Sequence, residues 1–237
     1  MDAVNTAAVK RTARTAGLLY LVVVVAGTFT LGYVPSHIPQ TPDLAASFDT
    51  LRAAETLFRL GIFAGALCYL AFLLLPLALY KLFAPANRTA ATLMVALAVV
   101  SAPIAFLNLG HRLDVLTLLG NADWLKSVPA ETLQAEARLS LKAYGNGLQI
   151  LKIFWGLWLL PFGWLVWTTR ALPRVLGALL MFGCFGYLIS FTGNLLFPGY
   201  EETAFAGWIT APGSLGEIGT CLWLLIMGAK APVRAAG

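Results

Sequence analysis

The sequence predicts an all-α membrane protein built as a bundle of six transmembrane helices. Hydrophobic residues form 59% of the 237 residues, charged residues form only 11%, and the mean hydropathy is +0.79. Soluble domains carry about 25% charged residues, whereas a transmembrane helix needs about 20 consecutive apolar residues. Six such helices with short loops fill the chain, so we expect one integral membrane domain over residues 1–237.

The first span, residues 15–34, follows the cations Lys10, Arg11 and Arg14. Its apolar run exceeds the about 7–15 residues of a signal-peptide core, so it is predicted to be an uncleaved helix. The other spans are predicted over residues 56–83, 88–110, 146–170, 173–197 and 205–229.

An amphipathic helix is predicted over residues 131–142, leading into the fourth span. We expect it to be interrupted or loosened at Gly145 and Gly147, because glycine disfavours helix interiors. Proline and aspartate between the first two spans predict an outer loop with a short surface helix.

The positions of lysine and arginine predict that both termini lie on the cytoplasmic side, which requires an even number of spans. Nine of the 16 cations fall on that side with one acid, Asp2: Lys10, Arg11, Arg14, Lys81, Arg88, Arg170, Arg174, Lys230 and Arg234. Arg14, Arg88 and Arg174 each begin an outward-going helix, which suggests three helical hairpins.

Polar residues from several helices are predicted to meet in the outer half of the bundle. At about 1.5 Å per residue from its cytoplasmic anchor, Lys152 lies about 27 Å and Glu217 about 20 Å into the membrane. The candidate pocket residues are Arg59, Asn108, Gln149, Lys152, Asn194 and Glu217, with Asn146, His111 and Asp114 as secondary candidates.

Glu217 is the most informative residue of this set. A carboxylate in hydrocarbon costs several kcal/mol unless it is paired, protonated or hydrated. Lys152 and Arg59 are the available cations, so we predict that Glu217 lies between them.

Three functions remain open at this stage. The first is binding or transport of a small polar or amphiphilic ligand through an outward-facing pocket; the second is a structural role in which the ionic cluster fixes helix packing. The third is an intramembrane hydrolase-like enzyme that uses Glu217 or His111. The enzyme is the least favoured of the three, and no catalytic residue is assigned. We expect no cofactor and no metal, because His111 and Asp114 lack further ligands in the sequence.

Composition also restricts the kinds of binding partner that we expect. The net charge of +5 does not indicate nucleic-acid binding, because the cations occur singly between apolar runs. Membrane lipids and a small-molecule ligand are the partners that we expect.

Several motifs resemble the bacterial membrane family called domain of unknown function 4386. The matching segments are Glu55–Gly61, Ala102–Asn108, Ile153–Gly163, Leu172–Gly177 with Gly186-Tyr187, Leu215–Glu217 and Leu222–Leu225. The resemblance covers almost the whole chain. It implies a six-helix protein of the bacterial cytoplasmic membrane and carries no activity or site residues with it.

Overall fold

A computed structural model describes residues 3–120 and 122–231, and within them the chain is helical without a β-strand. The α-helices are α1 (Ala3–Thr28), α2 (Val34–His37), α3 (Leu44–Ala53), α4 (Glu55–Phe83), α5 (Arg88–Leu119), α6 (Ala130–Leu157), α7 (Leu159–Thr169), α8 (Arg174–Leu196), α9 (Ala204–Ile209) and α10 (Ala211–Ile226). A π-helical turn, Phe29–Tyr33, joins α1 to α2, and two 3-10 turns lie at Asp123–Ser127 and Tyr200–Glu202.

The prediction of six membrane-spanning helices is confirmed. Among the described residues, six helical segments are long and apolar enough to cross a membrane: Ala7–His37, Glu55–Phe83, Arg88–Leu119, Ala130–Thr169, Arg174–Leu196 and Ala204–Ile226. The protein is therefore a multi-pass membrane protein. The cytoplasmic placement of both termini stays a prediction.

The fourth span differs most from its prediction. Helix α6 runs without a break through Gly145 and Gly147, so the predicted interruption is wrong. The helix stops instead at Leu157, where Pro161 has no N–H to donate to the Leu157 carbonyl. Helix α7 resumes at Leu159, directly after Trp158.

The chain packs as two compact units. Of the described residues, unit 1 contains those within 1–21, 71–102 and 149–237, and unit 2 contains those within 22–70 and 103–148. The single-domain organisation predicted above stays a prediction.

The core of unit 1 is built around Trp158, which is fully buried. Its ring stacks on Phe162 with centroids 5.2 Å apart and meets Phe72 edge-on at 5.2 Å. Helices α7 and α8 approach at Gly163 and Gly177, where backbone touches backbone. Small residues allow such close packing in lipid, where packing replaces the hydrophobic drive between helices.

In unit 2, hydrogen bonds connect the short helix α3 and the turn before it to α6. Asp43 caps this helix by accepting hydrogen bonds from the backbone N–H groups of Ala45 and Ala46. Arg138 on α6 donates to the hydroxyl of Ser47, 2.9 Å away, and to the carbonyl of Thr41. The predicted surface helix in this loop is thus present and is tied to α6.

Candidate functional site

The arginine cluster of unit 2 consists of Arg112, Thr30, Phe58, Tyr69 and Tyr144. Arg112, on α5, is only 4% exposed and is the one charged side chain in the described part of the chain that is buried. The other members come from the π-helical turn, α4 and α6. Three segments besides α5 therefore contribute side chains around one guanidinium group.

Thr30 holds one edge of the guanidinium. Arg112 donates from Nη1 to the Thr30 hydroxyl at 2.9 Å and from Nη2 to the Thr30 carbonyl at 3.2 Å. The π-helical turn contributes here, because π-bulges alter the regular hydrogen-bond pattern and often occur at functional sites. Gly65 on α4 leaves room for this contact, since a Cβ there would lie 3.3 Å from the Thr30 hydroxyl.

Aromatic rings cover the guanidinium faces. The Arg112 Cζ atom lies 4.3 Å from the centre of the Tyr144 ring and 5.6 Å from that of Phe58. Desolvated cation–π contacts of this kind contribute about 2 kcal/mol. The rings therefore stabilise the cation without neutralising its charge.

Three buried polar atoms of the arginine cluster have no hydrogen-bond partner outside the cluster in the described part of the chain. These atoms are the Arg112 Nε and the hydroxyl oxygens of Tyr69 and Tyr144. The Tyr69 hydroxyl interacts electrostatically with both Tyr144 and Arg112, so the three atoms share one environment. Buried polar atoms without partners are rare and call for an explanation such as a ligand, ion or water.

No carboxylate of the described residues lies within 4 Å of the Arg112 guanidinium. A buried charge normally has an opposite partner, because removing a charge from water costs several kcal/mol. The arginine cluster is therefore a positively charged site whose counter-charge is not supplied by the described side chains.

Asn108 lies one turn before Arg112 on α5 and is also buried. It donates from Nδ2 to the Tyr144 carbonyl at 3.0 Å. Its amide occupies the space that a Cβ at Gly147 would need. Asn108 was predicted as a pocket residue, and the structure places it beside the arginine cluster.

Glu217 lies in unit 1, in a second group that we call the carboxyl cluster: Glu217, Tyr20 and Tyr187. The Tyr20 hydroxyl donates to Glu217 Oε1 at 3.1 Å, and the Tyr187 hydroxyl donates to Oε2 at 3.3 Å. Helices α1, α8 and α10 are thus bridged by one carboxyl group. The predicted ion pair between Glu217 and Lys152 is wrong, because tyrosine hydroxyls occupy both oxygens.

Lys152 and Asn194, both predicted pocket residues, donate hydrogen bonds to the same residue, Ser190 on α8. The Lys152 Nζ donates to the Ser190 hydroxyl at 3.2 Å, and Asn194 Nδ2 donates to the Ser190 carbonyl at 2.8 Å. Glu201 attracts Lys152 electrostatically and accepts from Gln149 Nε2 at 2.9 Å. The structure therefore brings Lys152 and Asn194 together at Ser190, and brings Lys152 and Gln149 together near Glu201.

Arg59 differs from its predicted role. Its guanidinium lies 2.6 Å from Glu55 on the same helix, and its side chain is 58% exposed. An exposed pair at this spacing contributes only about 0.3–0.5 kcal/mol. The expected partnership with Glu217 is replaced by this local pair within unit 2.

The secondary candidates lie at accessible positions. His111 Nδ1 is 3.5 Å from Asp114 Oδ2, and both side chains are substantially exposed. Asn146 is exposed on α6. Within the described residues, no group of three metal-ligating side chains is gathered.

Sequence reasoning missed Arg112, Tyr20 and Tyr187. Arg112 sits in a run of polar residues at the end of α5, which is typical of a solvated helix end. Tyrosine near a span is usually interfacial, so neither tyrosine indicated a carboxyl partner. The one available signal was the i, i+4 spacing of Asn108 and Arg112, which places both on one helix face.

Tyr20→Phe is expected to lower the free energy of unfolding by about 1–2 kcal/mol, because it leaves Glu217 Oε1 without its donor. Unfolding in mixed micelles, followed by tryptophan fluorescence, measures this change. In a Glu217→Ala background the same substitution should cost less, because the acceptor of the Tyr20 hydroxyl is then absent.

Tyr69→Phe is the matched control for Tyr20→Phe, because both side chains are buried but the Tyr69 hydroxyl faces another hydroxyl, that of Tyr144, and no carboxyl group. It should lower stability by less than Tyr20→Phe does. Equal losses for Tyr20→Phe and Tyr69→Phe would contradict a specific bond to Glu217.

Comparison with known proteins identifies the chain at family level. Neither a curated protein nor a solved structure matches it. The family described as domain of unknown function (DUF4386) matches residues 15–228, which include every residue of the two clusters. The helical architecture and this match over most of the chain agree with the motif resemblance, and the protein belongs to the domain of unknown function 4386 family.

Proposed function

We propose that this protein binds a small organic anion of the carboxylate class at the arginine cluster. The observation that carries the proposal is that Arg112 is buried without a carboxylate of the described residues within 4 Å, while its Nε lacks an acceptor. A bound carboxylate would supply the missing negative charge. It would also accept from the guanidinium edge that Thr30 leaves open, in the two-bond geometry that arginine favours.

The surroundings of Arg112 favour a ligand with an apolar body. The rings of Phe58 and Tyr144 flank the guanidinium, and the hydroxyls of Tyr69 and Tyr144 have no partner outside the cluster among the described residues. An aromatic or short aliphatic carboxylate matches both features. This agrees with the amphiphilic ligand expected from the sequence, but moves its anchor from Glu217 to Arg112.

Benzoate, with benzyl alcohol as its uncharged analogue, provides the test. We expect benzoate to raise the melting temperature of the purified full-length protein, and benzyl alcohol to have little effect. Arg112→Gln should abolish the benzoate response. A free benzoate concentration one hundred times Kd would stabilise the folded protein by about 2.7 kcal/mol.

Arg52→Gln is the matched control, because Arg52 also lies over a phenylalanine ring of unit 2, that of Phe48, but is exposed. It should keep the benzoate response. If Arg112→Gln does not fold, Tyr144→Phe replaces it, since this change removes a single hydroxyl group that has no partner outside the cluster among the described residues. That variant should fold and respond more weakly to benzoate.

Three results would overturn the proposal. The first is a wild-type protein that does not respond to millimolar benzoate, and the second is equal stabilisation by benzyl alcohol. The third is an unchanged benzoate response in both Arg112→Gln and Tyr144→Phe.

A structural role is the second candidate, and the carboxyl cluster favours it. Both oxygens of Glu217 are bonded directly to tyrosine hydroxyls from other helices. A fully bonded polar group of this kind fixes helix packing and can specify one arrangement of the bundle. This role accounts for Glu217 but leaves the unpaired charge of Arg112 unexplained.

A further inference from the structure

Four cations of unit 1 surround a cavity of about 540 Å³. Lys10 belongs to α1, Arg170 and Arg174 flank the connection between α7 and α8, and Lys230 follows α10. No aspartate or glutamate of the described residues lines this cavity. The cavity is thus a basic site, separate from both clusters described above.

Backbone contacts hold the walls of this basic cavity. Lys230 donates its backbone N–H to the Ala171 carbonyl at 3.0 Å, which ties the end of the described chain to the α7–α8 connection. Gly228 has a φ of +73° and packs against the aliphatic part of the Lys10 side chain. A Cβ added at Gly228 would lie 3.4 Å from the Lys10 Cγ. Arg170 ends α7 in the left-handed region, with a φ of 54°.

The charges of the cavity are available to a ligand. Arg174 lies over the Trp167 ring, 5.3 Å from its centre, and donates to the Trp167 carbonyl. None of the four cations forms an ion pair with a described residue. All four also belong to the set that the charge distribution predicts on the cytoplasmic side.

An apolar groove of about 500 Å³ adjoins the basic cavity. The two share Pro173, Trp223 and Met227, and the groove continues along α8 and α10 past Leu176 and Leu222. A water-soluble anion would fill only the basic part. A molecule with a phosphate and a hydrocarbon chain matches both parts together.

We propose that this two-part site holds an anionic phospholipid of the cytoplasmic leaflet. The phosphate occupies the basic cavity and is held by Lys10, Arg170, Arg174 and Lys230, while one acyl chain lies in the groove beside Trp223. Basic pockets between transmembrane helices on the cytoplasmic side recognise anionic headgroups by the same combination of charge and apolar surface.

Titration of the purified full-length protein in a neutral detergent with short-chain phosphatidylglycerol tests this site. Native mass spectrometry and melting temperature give the bound fraction and the stabilisation. We expect phosphatidylglycerol to bind and phosphatidylcholine of the same chain length to bind at least tenfold more weakly. Each cation near an anionic lipid contributes about fivefold in affinity, so Arg170→Gln with Lys230→Gln should weaken binding by about 25-fold.

Lys81→Gln with Arg88→Gln is the matched control pair. These two cations are exposed, are predicted on the same side of the membrane and do not line the cavity. Their removal should change the affinity by less than about twofold. If Arg170→Gln with Lys230→Gln fails to fold, the single variant Lys230→Gln gives the same comparison with Arg88→Gln.

The proposal is overturned if phosphatidylcholine binds as well as phosphatidylglycerol, or if both variant pairs weaken binding equally. It is also overturned if inorganic phosphate stabilises the protein as strongly as phosphatidylglycerol. That last result would assign the cavity to a free anion and leave the groove without a role.

Discussion

Gly163→Ala should lower the free energy of unfolding by about 3 kcal/mol, the upper end of the range for an overpacked core. A Cβ at this position would lie 2.5 Å from the Gly177 carbonyl oxygen and 2.9 Å from the Met181 backbone nitrogen. Backbone atoms cannot rotate out of the way, so α7 and α8 would have to separate. Unfolding in mixed micelles measures the loss, and Gly163→Val should show a larger one.

Gly207→Ala is the control for this prediction. Gly207 lies in α9, and an added Cβ would meet nothing within 4 Å. It should be neutral or stabilising by up to about 1 kcal/mol. If Gly163→Ala were tolerated as well as Gly207→Ala, the close approach of α7 and α8 would not be a feature of the folded protein.

The spans could be predicted from the sequence because the membrane imposes length and hydropathy on each helix separately. Helix α4 was expected over residues 56–83 and is found at Glu55–Phe83; α8 was expected over 173–197 and is found at Arg174–Leu196. Neither boundary depends on a neighbour. Prolines and basic residues at the ends of these segments were enough to predict where each helix begins and ends.

The fourth span could not be delimited in the same way. Gly145 and Gly147 indicated a loose segment by their intrinsic helix propensity. In the structure, Gly147 is helical, and the absence of a side chain there leaves the space that the Asn108 amide of α5 occupies. Tertiary packing therefore overrides propensity here, and one sequence alone contains no signal for that contact.

The partners of the polar residues were the least predictable feature. Depth along each helix was estimated from its basic anchor, but rotation about the helix axis was not. Lys152 and Glu217 were assigned to one layer, yet the first reaches Ser190 and the second reaches Tyr20 and Tyr187. Charge complementarity suggested an ion pair, whereas hydroxyl donors satisfied the carboxyl group instead.

Gly147→Ala is expected to destabilise the protein by about 3 kcal/mol, because the new methyl group would displace the buried Asn108 amide. Displacement also breaks the bond from Asn108 to the Tyr144 carbonyl and leaves a buried amide unsatisfied, which alone costs about 1–3 kcal/mol. Unfolding of the purified protein in mixed micelles measures this loss.

Two further variants decide whether the contact between Asn108 and Gly147 is the cause. Gly145→Ala is a control on the same helix, because a Cβ there meets nothing within 4 Å, and it should be neutral or stabilising by up to about 1 kcal/mol. Asn108→Ala with Gly147→Ala removes the amide with which the new methyl group would collide. Its loss should therefore be smaller than the sum of the two single losses, by about 1–3 kcal/mol of coupling. Strict additivity would separate the two residues energetically and remove Asn108 as the support of Tyr144 beside Arg112.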